Sequence, residues 1–491
     1  MLKKAFFTNS SGILCSRIFG FLRDLSMANI LGAGIYSDIF FVAFKFPNLF
    51  RRIFGEGAFT QSFLPSFIAS SKKGAFSVLV LAIFSLFLIG FCLLVMIFSG
   101  GFTRLLALGF DAQLIEITKP IVAIHFWYLF LVFIVTFLST LLQYKQSFWV
   151  SAYNTALLNI AMICALFLAR NQEELEIVYF VSYGVLFGGV AQICLHFYPL
   201  YRLGFVRLFL CGLGEIKMAL NGGLIKMICA TQASEKAKIL AYRIRLDLKR
   251  FFTQFFPAML GSSTAQLASF VDTLLASFLA SGSISYLYYA NRIFQLPLAI
   301  FAIAISTALF PMVAKAIKAK QEQQALATMK NAFWFLLSML ALCSIGGIML
   351  SDQIIWLLYE HGKFTRSDTL ESAAVFSAYM IGLLPFGCAR IFSLYLYSYN
   401  AQALAAKISA ISLGIGVVFS LIFMQFLGAF GLALAGSLSG FVLFGLTIRA
   451  FGLNKFWTTM RSAKYALYTI LAIMIEIMLL LGWRYVVQIP T

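Results

Sequence analysis

Between Lys407 and Arg449 the chain runs for 41 residues without a single Lys, Arg, Asp or Glu. A helix crosses the hydrocarbon core of a bilayer in about 20 apolar residues, so this run is too long for one crossing. It has to be two crossings with a turn, and the Gly-rich stretch around Gly428 is where the turn belongs. The rest of the chain follows the same pattern: 62% of its 491 residues are apolar and 11% are charged. Soluble globular chains sit near about 45–50% and about 25%, so this composition excludes a soluble domain, a disordered chain and a collagen-like repeat. It implies an all-α, polytopic membrane protein.

Thirteen stretches qualify as spans, near 9–30, 37–69, 78–100, 120–144, 149–169, 177–200, 251–281, 284–314, 331–350, 372–398, 403–426, 429–449 and 465–487. Those at 37–69 and 284–314 exceed one bilayer thickness and should tilt, kink or project. Pro47, Gly55, Gly57 and Pro65 in the first, and Pro297 and Pro311 in the second, supply the kinks. The segment 201–250 is the one long connection. It divides the chain into an N-lobe (1–200) and a C-lobe (251–450), with a C-terminal transmembrane segment at 451–491. The end of that connection mixes Lys and Arg with Leu, Ile and Phe, which suits either an amphipathic helix on an anionic leaflet or a plain connector.

The formal net charge is +19. On a soluble chain that would point to nucleic acid, but here the bases collect in alternate loops, including Lys3, Lys4, Lys72, Lys73, Lys145, Lys315, Lys318, Lys320, Lys330, Lys407, Arg449, Lys455, Arg461 and Lys464. The positive-inside rule then places the N-terminus in the cytoplasm and, after an odd number of spans, the C-terminus outside. Topology accounts for most of the charge, and no nucleic-acid partner is implied. The eight cysteines form no CxxC pair and read as packing residues. His125, His196 and His361 form no HExxH, so zinc chemistry is unsupported.

An internal echo recurs at a spacing of 248 residues: Asp24, Ala28, Leu31 and Gly34 map onto Asp272, Ala276, Leu279 and Gly282. Pro47 answers to Pro297 with a two-residue drift, and Phe-Leu-Pro at 63–65 answers to Leu-Phe-Pro at 309–311. Six spans and a cytoplasmic loop separate the copies, so both run the same way through the membrane. They form a parallel pseudo-twofold repeat of two six-helix lobes, an arrangement in which a substrate site lies between the lobes.

Seven bases lie inside the spans (Arg17, Arg23, Lys45, Arg51, Arg52, Arg292 and Arg390) against five acids (Asp24, Asp38, Glu56, Asp272 and Glu476). A charge at mid-membrane costs about 2.5–3.5 kcal/mol on insertion scales, so such residues should pair or face water. At 100° per residue Asp38, Lys45, Arg52 and Glu56 fall on one stripe of the second span, and Arg17 and Asp24 share a face of the first. Arg51 joins the stripe if Pro47 or the 55–57 region shifts the helical phase. The plainer reading is internal pairing, Arg52 with Glu56 or Arg23 with its neighbours, with other heads snorkelling to the interface. Bases outnumber acids, however, and Arg suits a bidentate grip on phosphate. The set implies an anionic, phosphate-bearing substrate entering from the membrane.

SRIFGFLRD at 16–24, LGAG at 31–34, SDIFFVAFKFPNLFRRIFGEGAFTQSFLP at 37–65, LASFLASGSISYLYYANR at 275–292 and YEHGKFTRSDT at 359–369 resemble the MurJ/MviN family of lipid II flippases. The resemblance implies the multidrug/oligosaccharidyl-lipid/polysaccharide exporter fold, two six-helix lobes plus C-terminal helices lining a lipid groove. It implies a bacterial inner-membrane protein whose cargo is the undecaprenyl-pyrophosphate-linked peptidoglycan precursor, lipid II. The family's cavity arginines would be Arg17, Arg23, Arg51 and Arg292, supported by Asp38 and Glu56, and wall-synthesis proteins would be partners. The chain departs from its relatives in having thirteen spans where fourteen are usual, in an insertion-like 213–240, and in Asn291 where relatives have Asp. Residues 400–402 read Asn-Ala-Gln and lack an expected carboxylate, which bears on a sodium site to which Asp272 would contribute.

The expected activity is therefore transport by alternating access, driven by membrane potential or sodium, with no cofactor and no Walker-type GxxxxGK[ST] for ATP. An exporter of other lipid-linked oligosaccharides, or a cation-coupled drug exporter, would share the fold. A glycosyltransferase or ligase using a lipid-pyrophosphate donor would need catalytic carboxylates or a histidine in an outer loop. The best such loop, 352–371, holds Asp352, Glu360, His361, Asp368 and Glu371 in no recognisable catalytic spacing.

Overall fold

The computed structural model describes residues 2–53, 58–219 and 235–486. Glu56 and most of the 213–240 stretch lie outside these residues or their described side chains. Within them the chain is helical with no strand. The helices are α1 (Leu2–Leu31), α2 (Ile35–Ile53), α3 (Phe59–Ala69), α4 (Lys73–Ile97), α5 (Ser99–Leu106), α6 (Ala112–Tyr144), α7 (Trp149–Ala169), α8 (Glu174–Arg202) and α9 (Phe205–Ala219). They continue with α10 (Glu235–Ala276), α11 (Ser283–Pro297), a π-helical stretch (Leu298–Ile303), α12 (Ala304–Lys318), α13 (Glu322–Met349), α14 (Ser351–Tyr359) and α15 (Arg366–Ser398). The last are α16 (Gln402–Phe451), α17 (Leu453–Met460) and α18 (Ala463–Val486). Among the described residues nine helices are long and apolar enough to cross a membrane.

The 50-residue α16 is two helices joined at Gly428, whose φ of 54° and ψ of −132° break the helical path. A positive φ costs glycine little, so the turn falls where the uncharged run needs one. The repeat is equally visible: α2 begins at Ile35 and α11 at Ser283, 283 − 35 = 248 residues apart, each directly after a glycine. Pro47 lies inside α2 and Pro297 inside α11. Proline removes a backbone donor and clashes with the preceding turn, and directly after Pro297 the helix widens into the π-helical stretch before α12.

The chain forms two compact units, residues 1–27 with 39–270, and residues 28–38 with 271–491. The described residues of the 201–250 segment fall within the first unit. Leu240 and Ile244 of α10 are buried with Ala75 of α4 and Ala219 of α9, which gives the segment a small core of its own. Lys72 pairs with Glu215 at 2.9 Å and the Ser70 hydroxyl donates to Asp247 at 2.7 Å. The main core of the first unit is aromatic: Phe59, Phe63, Phe76, Phe84, Phe133, Phe137 and Phe251 are buried in one cluster. Such ring pairs add about 0.5–1.5 kcal/mol each beyond burial. Small residues bring α7 and α8 together, with Gly184 against Ala165 and Gly188 against Leu158.

In the second unit, residues 28–38 are tied down by backbone and side-chain bonds. The Lys363 N–H donates to the Asn29 carbonyl at 2.8 Å, and the Tyr289 hydroxyl donates to the Gly32 carbonyl at 3.4 Å. Gly282 has φ +91°, and a Cβ there would stand 2.6 Å from the Ala33 carbonyl oxygen, so both conformation and space exclude a side chain.

Candidate functional site

In the first unit the site begins with Arg23, 6% exposed on α1. Its Nε and one terminal nitrogen donate to Asp24 Oδ1 at 3.0 and 2.5 Å, and the other donates to Asn159 Oδ1 of α7 at 3.0 Å. The guanidinium therefore ties α1 to α7. Arg23 is paired internally, and Asp24, 1% exposed, is the counter-charge that makes its burial tolerable. Arg17, seven residues earlier, is exposed. Lys45, Arg51 and Arg52 on α2 are half-buried, and Arg51 donates from Nε and a terminal nitrogen to Asn48 Oδ1, both at 3.3 Å. One turn of i, i+3 spacing puts the amide where it steadies the guanidinium. Tyr128 of α6, fully buried, lies within electrostatic reach of both Arg23 and Arg51. His125, one turn away, is buried with its ring edge-on to Phe40 and Phe44, at centroid distances of 5.2 and 5.7 Å.

In the second unit Asp38 is 3% exposed. Its Oδ2 accepts the Gly282 N–H at 2.7 Å, and its Oδ1 accepts the Ser285 N–H at 2.8 Å and the Ser285 hydroxyl at 2.6 Å. A carboxylate over the first turn of a helix satisfies orphan donors and complements the helix dipole. Asp38 thus caps the start of α11. Arg292, half-buried on α11, donates to the Tyr288 hydroxyl at 2.8 Å with its guanidinium carbon 5.1 Å from that ring's centre. The negative ring face attracts the guanidinium and holds it in place. Asp272 is exposed and close enough to Tyr379 to act on it electrostatically. Among the described residues no three His, Cys, Asp or Glu side chains gather as a metal site.

In the 352–371 stretch, Asp352, Glu360 and Asp368 make internal contacts. Arg366 binds Asp352 bidentately at 2.9 and 2.8 Å and Glu360 at 3.4 Å, while Asp368 caps α15 with Thr365 and accepts the Tyr286 hydroxyl at 3.0 Å. Charge counting passes over the residues that hold these charges: Asn159 and Asn48 in the first unit, Ser285 and Tyr288 in the second. A polar amide such as Asn159 within an apolar span is the signal that marks it.

An all-α membrane protein built as two helical units is the class these features define. A solved structure of lipid II flippase MurJ in an inward-closed conformation superposes with a TM-score of 0.70 at 24% identity, covering 97% of this chain and 98% of that one. An inward-facing multidrug resistance MATE family transporter of the MOP superfamily superposes with a TM-score of 0.67 at 12% identity, covering 91% and 96%. At these identities the likeness shows the fold. The family model for lipid II flippase MurJ matches residues 27–488. A probable lipid II flippase MurJ of Helicobacter pylori is 56% identical over 458 residues, 93% of this chain and 96% of that protein. A probable lipid II flippase MurJ of Vibrio cholerae is 29% identical over 461 residues, 91% and 82%. The chain belongs to the lipid II flippase MurJ family and is a multi-pass membrane protein.

Proposed function

We propose that this protein carries lipid II, the undecaprenyl-pyrophosphate-linked peptidoglycan precursor, from the inner to the outer leaflet of a bacterial cytoplasmic membrane. It works by alternating access, with its N-terminus in the cytoplasm. The observation that carries this reading is the 56% identity over 458 residues to a probable lipid II flippase. The side chains add a chemical reason. Arg17 is an exposed base and Lys45, Arg51, Arg52 and Arg292 are half-buried ones, and these are the groups suited to a pyrophosphate. Arg23, Asp24 and Asp38 act one step back, by fixing α1 on α7 and capping α11.

The reading is transport and not group transfer. The outer carboxylates are engaged with Arg366, Thr365 and Tyr286, which supports setting the ligase alternative aside. A drug exporter for cations would favour an acidic site, contrary to the excess of bases. With the cell interior negative, moving about two anionic charges outward gains roughly 4–5 kcal/mol per 100 mV, at 2.3 kcal/mol per charge. A sodium ion would need several oxygen ligands around Asp272, and residues 400–402 bring no carboxylate, so no step is routed through sodium. Wall-synthesis proteins are the natural partners for the released precursor.

The test is the flipping of labelled lipid II in vesicles by Arg17→Ala, Arg51→Ala and Arg292→Ala variants that insert at normal levels. Each should slow translocation at least tenfold. Unchanged rates in all three would sink the pyrophosphate-binding role.

A further inference from the structure

Glu476 is among the intramembrane charges that the transport reading leaves unused. Glu476 sits on α18, which packs along α13 and has only 6% of its most apolar window buried within the protein. Toward the N-terminal ends the two helices are joined by polar contacts. The Lys330 ammonium donates to the Arg461 carbonyl at 2.9 Å, the Trp334 indole N–H donates to the Met460 carbonyl at 2.8 Å, and the Ser338 and Thr469 hydroxyls meet at 2.6 Å. Further along, the same register brings Glu476 opposite Gly346, where a Cβ would stand 3.0 Å from Oε1. There the pair opens into a groove of about 420 Å³, otherwise lined by Leu342, Ala472, Ile475, Leu479 and Leu480. Glu476 Oε2 is buried with no hydrogen-bond partner among the described residues.

Depth restricts what can answer this carboxylate. Glu476 lies 12 residues after Lys464 and 8 before Arg484, roughly 18 and 12 Å along the helix at 1.5 Å per residue. In a core about 30 Å thick both distances exceed the reach of phospholipid headgroups at their own level. A hydrocarbon chain fits the apolar walls but offers no donor. The group that satisfies both is a basic side chain on a helix that itself spans the membrane.

We propose that the α13–α18 groove is a docking site for a transmembrane helix of another protein, one bearing a Lys or Arg at mid-membrane depth with Glu476 as its counter-charge. Polar pairs between membrane helices strengthen association by about 5- to 30-fold, small enough for a reversible complex.

The test uses the full chain in phosphatidylcholine vesicles, labelled for energy transfer to synthetic poly-Leu transmembrane helices with either Lys or Leu at the centre. The expected result is about tenfold tighter association of the Lys helix than the Leu helix. Glu476→Leu should abolish that preference, Glu476→Gln should reduce it, and Leu479→Trp, which fills the groove while leaving the carboxylate, should also reduce it. Monodisperse elution of each variant controls for folding. No preference in the unmodified protein, or a preference that survives Glu476→Leu, overturns the proposal. So does Glu476-dependent energy transfer between two copies of this chain, or to a labelled polyprenyl lipid, in place of the Lys helix.

Discussion

Removing the Asp38 carboxylate should loosen the start of α11 while leaving the rest of that helix in place. Asp38→Ala deletes an acceptor for three donors, the Gly282 N–H, the Ser285 N–H and the Ser285 hydroxyl, at 2.7, 2.8 and 2.6 Å. Each buried donor left unmade costs about 1–3 kcal/mol, and loss of the favourable charge at the helix start adds about 0.3–1 kcal/mol. Water entering the vacated site recovers part of this, so the net local cost is about 3–4 kcal/mol. Since 1.36 kcal/mol is a factor of ten, amide hydrogen exchange at residues 282–286 should accelerate by about 10²–10³, with exchange in the middle of α15 unchanged. Ser285→Ala removes only the hydroxyl and should accelerate the same amides about tenfold or less. Asp38→Asn retains one acceptor but opposes an N–H to the Gly282 N–H, so it should fall between the two. The reasoning fails if exchange at 282–286 in Asp38→Ala matches the unmodified protein, or if the acceleration spreads evenly through both units.

Two further outcomes follow from the charged contacts. Arg23→Ala strands Asp24 in a site 1% exposed and should lower protein levels in the membrane, by a cost of about 3–5 kcal/mol, whereas the double change Arg23→Met with Asp24→Leu should recover most of the thermal stability. Arg366→Ala removes a contact to Asp352 and Glu360 in which the Arg366 side chain is 34% exposed, so a thermal melt in detergent should shift by the equivalent of about 1 kcal/mol or less, with the shift shrinking further in high salt.

The helices were legible because their determinants are local. An uncharged run from 408 to 448 has to contain two crossings, and the turn falls at the one glycine where φ and ψ leave the helical region. The repeat was legible for the same reason, since glycines 248 residues apart each precede a helix. The partners of the charges were not, because they come from distant parts of the chain. Angular position placed Asp38 beside Lys45 and Arg52 but says nothing of Gly282, 244 residues on, whose N–H it binds. Arg23 beside Asp24 suggested a pair, and Asn159, which completes it, lies 136 residues away in a span with no charge to mark it. The 201–250 segment reads as a linker by its bases, and its buried apolar residues among those described, Phe205, Ala219, Leu240 and Ile244, are too scattered to stand out against those charges.

Transport itself is tested most directly by substrate choice under a controlled potential. Vesicles holding this protein, an inside-negative potential equivalent to that of the cell, and fluorescent lipid II in the inner leaflet should show protein-dependent appearance of the headgroup outside, slowing when the potential is collapsed. Other polyprenyl-pyrophosphate sugars should move more slowly. Movement of cationic drugs with no movement of any lipid-linked pyrophosphate would contradict the account.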